Sequence, residues 1–121
     1  MLESVFPPYL LEYFKCINLQ SVSEIRLRVG CPIVIVDKVT KYLTANGLSL
    51  EPEGAIKVHS AMITDILSMA SGNSLYTINN QLLNGYVTCN GIRIGVAGEL
   101  VTTGGELKTL KNITSLNIRI P

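Results

Sequence analysis

Four arginines stand between apolar residues in alternating runs. Arg26 and Arg28 lie in Glu24-Ile-Arg-Leu-Arg-Val29, Arg93 in Ile92-Arg-Ile94, and Arg119 in Leu116-Asn-Ile-Arg-Ile120. Successive side chains of a strand point to opposite faces, so these arginines are out of phase with Ile25, Leu27, Ile94 and Ile118. If the strands share a sheet, the four guanidiniums share one face. Such a face is either an ordinary solvated surface or a set of planar forks that match the oxygens of phosphate or carboxylate. Asn84, Asn90 and Asn117 would add polar groups near it.

Other chemistry has less support. Gly91, Gly95 and Gly98 are spaced for neither a dinucleotide fingerprint nor a P-loop, and no helix follows them. They read as turn and strand glycines that let backbones approach. No Gly-x-x-x-x-Gly-Lys-Ser/Thr run occurs anywhere, which argues against autonomous ATP hydrolysis of that type. His59 is the single histidine and has no partner at ligand spacing, so it reads as a surface or capping residue rather than a metal ligand. With no second histidine there is no triad to activate a nucleophile. Glu24, Asp37, Glu99 and Glu106 read as solvated strand or turn residues. Cys16, Cys31 and Cys89 are odd in number and widely spaced, which suggests neither a disulfide framework nor a zinc site. They read as buried, inert thiols in a reducing compartment.

Composition narrows the class. A chain of 121 residues fits a single domain, 1–121, and a net charge of +1 demands neither nucleic acid nor a membrane surface. There is no tryptophan, and only Tyr76 and Tyr86 lie near the arginine segments, so base stacking along a basic track is poorly served. No apolar stretch approaches the about 20 residues that span a bilayer, and the N-terminus lacks the pattern of a signal peptide.

The elements that must position the arginines can be traced. Pro7-Pro8 opens a helix whose apolar face is Leu10, Tyr13, Phe14 and Ile17. The alternating run from Ser23 to Val29 is a strand, broken by Gly30-Cys31-Pro32, and Ile33–Val36 and Tyr42–Thr44 are short strands before an Asn46-Gly47 turn. Residues 48–58 carry no readable pattern. A helix starting at Ser60 buries Met62, Ile63, Ile66, Leu67 and Ala70 and ends before Gly72. Ser74 caps a second helix, with Leu75, Ile78 and Leu82 inward, ended by Gly85. Asn90-Gly91 joins Tyr86–Cys89 to Ile92–Ala97 as a tight hairpin, because both turn residues tolerate positive φ. Glu99–Thr102 extends or leaves this ribbon, Gly104-Gly105 turns the chain into Leu107–Leu110, and Leu116–Ile120 closes it. The expected fold is α+β: a small mixed or antiparallel sheet with an N-terminal helix, a central helical pair and a C-terminal β meander.

Three blocks, taken together, resemble the N-terminal region of the stage III sporulation protein AA family. They are Glu24-Ile-Arg-Leu-Arg-Val-Gly-Cys-Pro-Ile33, the run from Ser74 to Gly98 that contains Gly85-Tyr-Val-Thr-Cys-Asn-Gly-Ile-Arg-Ile-Gly-Val-Ala-Gly98, and Ile113-Thr-Ser-Leu-Asn-Ile-Arg-Ile120. The chain departs from the family pattern at Cys31, where arginine is usual, and at Asn90 and Ile92, where glycine and histidine are usual. Arg26, Arg28, Arg93 and Arg119 remain in place, while Gly30, Pro32, Gly85, Asn90, Gly91, Gly95 and Gly98 read as turn and structural positions.

The resemblance implies a cytoplasmic, mother-cell ATPase akin to the hexameric motors of type II and type IV secretion. In such motors an N-terminal α+β domain precedes a RecA-like ATPase domain, closes over nucleotide and supplies arginines to its phosphates. On that footing this chain is the non-catalytic N-terminal domain alone. It would have no cofactor of its own, Mg-ATP belonging to the absent ATPase half. Its partners would be that half, neighbouring subunits and membrane proteins of a sporulation channel. The alternative is a stand-alone protein- or nucleic-acid-binding module that uses the arginine face.

Overall fold

A computed structural model of the chain describes residues 2–72, 81–103 and 106–121, with backbone alone over 100–103 and 106–111. Pro7 is extended and Pro8 takes the first position of α1 (Pro8–Phe14), where its missing N–H costs nothing. The chain then runs through β1 (Glu24–Arg28), β2 (Val34–Val36), β3 (Thr40–Thr44), β4 (Gly47–Ser49), α2 (Ser60–Ala70), β5 (Tyr86–Cys89), β6 (Ile92–Thr103) and β7 (Glu106–Arg119). Among the described residues the seven strands form one sheet in the order β4-β3-β2-β1-β7-β6-β5, and each of these pairings is antiparallel. The fold is α+β, and mostly sheet.

The core is built on one register row. Ile35, Ile25, Ile118, Ile94 and Val87 lie directly opposite one another across five strands, and each is fully buried. β-Branched side chains suit such a pleated, covered surface. Met62, Ile63, Ile66, Leu67 and Ala70 of α2, with Leu10 and Phe14 of α1 and the N-terminal Leu2, Val5 and Phe6, join the same cluster. Phe6 and Phe14 stack at a ring separation of 5.1 Å. Tyr9 Oη donates to Asp65 Oδ2 at 2.7 Å and ties α1 to α2. Helices α1 and α2 therefore cover one face of the sheet, and among the described residues the polar face of the alternating strands is left open.

The turns follow their residues. Asn90 at φ 49° and Gly91 at φ 84° join β5 to β6, and Gly72 at φ 62° follows α2. Gly30, at φ 82°, turns the chain between β1 and β2, and its N–H donates to Val58 O at 2.9 Å.

Several expectations are corrected. β7 is one strand of 14 residues, not two pieces, because it pairs with the full length of β6. The register slips between Ala97 and Glu99, so Gly98 sits in an irregularity; opposite it, Asn112 is at φ 50° and its Nδ2 donates to Glu99 at 3.0 Å. β4 falls in the segment that carried no pattern, and isolated bridges tie Ala55, Lys57 and Val58 to Thr44, Pro32 and Val29. Tyr13 is exposed and α1 stops at Phe14, which leaves Ile17 beyond the helix. Cys16 and Cys31 are exposed, since both lie in turns rather than on inward strand positions; Cys89 is half-buried. Of the second central helix, Gln81 and Leu82 are helical and Leu82 is buried. Its start, with Ser74, Leu75, Tyr76 and Ile78, lies outside the described residues, as does the Gly104-Gly105 turn.

Candidate functional site

The open face is assembled from three parallel register rows. The first reads Glu24, Arg119, Arg93, Thr88 across β1, β7, β6 and β5. The second reads Val34, Arg26, Asn117, Gly95, Tyr86 from β2 to β5. The third reads Arg28, Ser115, Ala97. Residues directly opposite on paired strands share a face, so Arg26, Arg28, Arg93 and Arg119 share one, opposite the isoleucine row. All four are exposed. The β1–β7 pairing brings them together, although Arg28 and Arg93 are far apart in sequence.

Two shallow depressions open on this face. One, of about 360 Å³, is lined by Asn84, Gly85, Tyr86, Arg93, Gly95, Asn117 and Arg119. The other, of about 330 Å³, is lined by Arg26, Leu27, Arg28, Cys31, Pro32, Val34, Ser115 and Asn117. They meet at Asn117. Gly85, at φ 85°, swings the chain into β5, and its carbonyl accepts from Val96 N at 2.9 Å. Gly95 is a strand glycine with ordinary φ, and a methyl there would meet Asn117 at 3.8 Å. Asn90 sits at the hairpin tip and does not line either depression.

The electrostatics are unbalanced. Arg93 and Arg119 are directly opposed across β6 and β7, an arrangement of like charges that costs free energy in a sheet. Two contacts offset it. The Arg93 guanidinium carbon lies 4.0 Å from the Tyr86 ring centroid, a cation–π contact that holds the fork against the sheet. Glu24 holds Arg26 Nε at 2.6 Å and stands 3.8 Å from Arg119 Nε. Its side chain is only 13% exposed, so it is not the solvated residue that the alternating pattern suggests. Asp37 is corrected likewise. Its carboxylate accepts from Lys38 N–H and from Ser21 Oγ, which lowers its pKa, and Lys41 stands 3.6 Å away. Among the described residues, Glu24 is the one carboxylate seen to ion-pair with any of the four arginines, meeting Arg26 and Arg119. The four exposed guanidiniums therefore leave this face positively charged.

Acid–base and metal chemistry are less well provided for. Among the described residues no group of three His, Cys, Asp or Glu side chains converges as a metal site. His59 is exposed at the N-cap of α2 and makes no capping bond with its side chain. No helix among the described residues is long and apolar enough to cross a membrane.

Two contacts of the arginines were not foreseen from the sequence, those of Glu24 and Tyr86. Glu24 is in phase with Arg26 two residues on, a signal present in the alternation itself. Tyr86 became a partner of Arg93 only through register: it lies opposite Gly95, diagonally from Arg93.

Residues 10–121 match the family described as sporulation stage III, protein AA. The stage III sporulation protein AA of Bacillus subtilis (strain 168) is 35% identical over 101 residues, which cover 82% of this chain and 29% of that relative. The chain thus spans less than a third of the length of the curated relative it matches. No solved structure matches it.

Proposed function

The chain belongs to the sporulation stage III protein AA family, and on that premise we propose that it is the non-catalytic N-terminal domain of a sporulation-associated, secretion-type ATPase, acting as a lid over the nucleotide site and as an assembly element. One observation carries the reading: Arg93 and Arg119 stand side by side, with Asn84 and Asn117, around a polar depression on a sheet face that no helix among the described residues covers. Two adjacent guanidinium forks, flanked on the Arg119 side by the carboxylate of Glu24, favour a multiply charged oxyanion. Nothing in the chain resembles a P-loop. A phosphate held elsewhere, by an ATPase half that binds Mg-ATP, is the ligand this face is suited to meet. That half and neighbouring subunits of a hexamer are the proposed partners. Sporulation channel membrane proteins are proposed as the wider assembly, on the cytoplasmic, mother-cell side.

In a full-length family protein carrying this domain, Arg93→Ala and Arg119→Ala should lower ATP turnover far more than they lower stability. An arginine reaching a transferring phosphoryl group can be worth ~10³-fold in rate. An exposed strand arginine contributes less than about 1 kcal/mol to the fold. Steady-state ATPase rates and thermal melts on the same variants decide. Normal turnover with both arginines removed would leave the domain an assembly role alone.

The second reading is a stand-alone protein- or nucleic-acid-binding module on the same face, favoured by the Tyr86–Arg93 stack. Salt-sensitive binding of single-stranded DNA that is lost in Tyr86→Ala would support it.

A further inference from the structure

The arginine face already holds an anion of its own. Glu24 lies beside Arg119 in one register row and two residues from Arg26 on the same strand. Its two contacts differ sharply. Oε2 is bonded to Arg26 Nε at 2.6 Å, whereas Oε1 is 3.8 Å from Arg119 Nε. The partners differ as well: the Arg119 side chain is 76% exposed and the Arg26 side chain 53%. The first contact is a charge-assisted hydrogen bond. The second is a loose, solvent-screened attraction that a stronger anion can displace.

We propose that Glu24 is a built-in competitor at the arginine face: its carboxylate draws on Arg119 in the empty domain and gives that guanidinium up to a multiply charged phosphate entering the depression beside Arg93. The inference rests on the reading of that face as a phosphate site. The short bond to Arg26 stays made, so Glu24 remains anchored while Arg119 turns toward the ligand. The arrangement selects by charge. A single carboxylate from a solvated acid offers Arg119 no more than Glu24 does. A polyphosphate offers several oxygens, more charge and a bidentate match to both Arg93 and Arg119. Glu24 thus acts through Arg119 as a positioning and specificity residue.

Tripolyphosphate binding by the 121-residue chain, followed by calorimetry at low salt, tests the idea. Glu24→Gln keeps the side-chain shape and the contact with Arg26 but removes the charge. It should bind tripolyphosphate roughly two- to fivefold more tightly, the factor that loss of one exposed ion pair corresponds to. Glu12→Gln changes net charge equally on α1, behind the opposite face, and should leave binding unchanged. In an Arg119→Ala background the gain from Glu24→Gln should vanish, which a general charge effect or a structural role would not produce. If Glu24→Gln melts early, Glu24→Asp, which draws the carboxylate back from Arg119, should show a smaller gain in the same direction. Equal or weaker binding by the Glu24 variants, with wild type binding, overturns this inference alone. So does a gain that persists without Arg119. Absence of binding by wild type and Glu24→Gln alike overturns both the inference and the phosphate reading.

Discussion

Gly91→Val isolates the backbone geometry on which the arginine face depends. Gly91 sits at φ 84°, beside Asn90 at φ 49°, in the two-residue turn between β5 and β6. An added Cβ would meet nothing within 4 Å, so no clash contributes and the cost is conformational alone. Forcing a β-branched residue into this region costs about 1–3 kcal/mol. Loss of glycine's freedom in the unfolded chain returns about 0.4–1 kcal/mol. At the middle of both ranges the net loss is about 1.3 kcal/mol, or roughly 3–7 °C in melting temperature for a domain of this size. The damage should concentrate in β5, whose one sheet neighbour is β6 and whose Val87 ends the buried isoleucine row. Melts by circular dichroism measure the loss, and amide exchange along β5 locates it. Gly95→Ala is the contrast: its φ is ordinary and the new methyl would stand 3.8 Å from Asn117, so stability should hold or rise slightly. A Gly91→Val protein that melts with wild type, or a Gly95→Ala protein that falls as far, would refute the reasoning.

Ile118→Ala, at the centre of the buried row, should cost about 2–5 kcal/mol, whereas its neighbour Arg119→Ala should cost less than about 1 kcal/mol; urea denaturation of both checks the two-faced character of β7. The Tyr9 hydroxyl is pushed up to about 12, first by burial and then by its bond to Asp65. A raised phenol stabilises the fold while protonated, so its contribution is complete below the ordinary value of 10.0 and is lost as pH rises through about 12. Over that window wild type should lose more stability than Tyr9→Phe, and melts at stepped alkaline pH will show it. The chain alone should not hydrolyse ATP, because it carries no P-loop lysine and hydroxyl to hold the phosphates and Mg²⁺; Mg-ATP turnover above buffer would contradict this.

Local patterns carried much of this protein. Alternation alone put Arg26 and Arg28 out of phase with Ile25 and Leu27, because the side-chain period of a strand is two whatever it pairs with. Asn90-Gly91 specified its turn, since few residue pairs accept two positive φ values. The spacing of Met62, Ile63, Ile66, Leu67 and Ala70 specified the buried side of α2, and Gly72 its end. What the sequence could not settle was which strands meet. The neighbour of β1 is β7, at the far end of the chain, and that choice depends on how the whole set of apolar faces closes over α1 and α2. Only that pairing sets Glu24 beside Arg119, lays Asn117 between two depressions and turns separate arginines into one surface. Exposure of Cys31 and partial shielding of Glu24 were decided in the same way, because solvent access belongs to the assembled surface and not to the residue type.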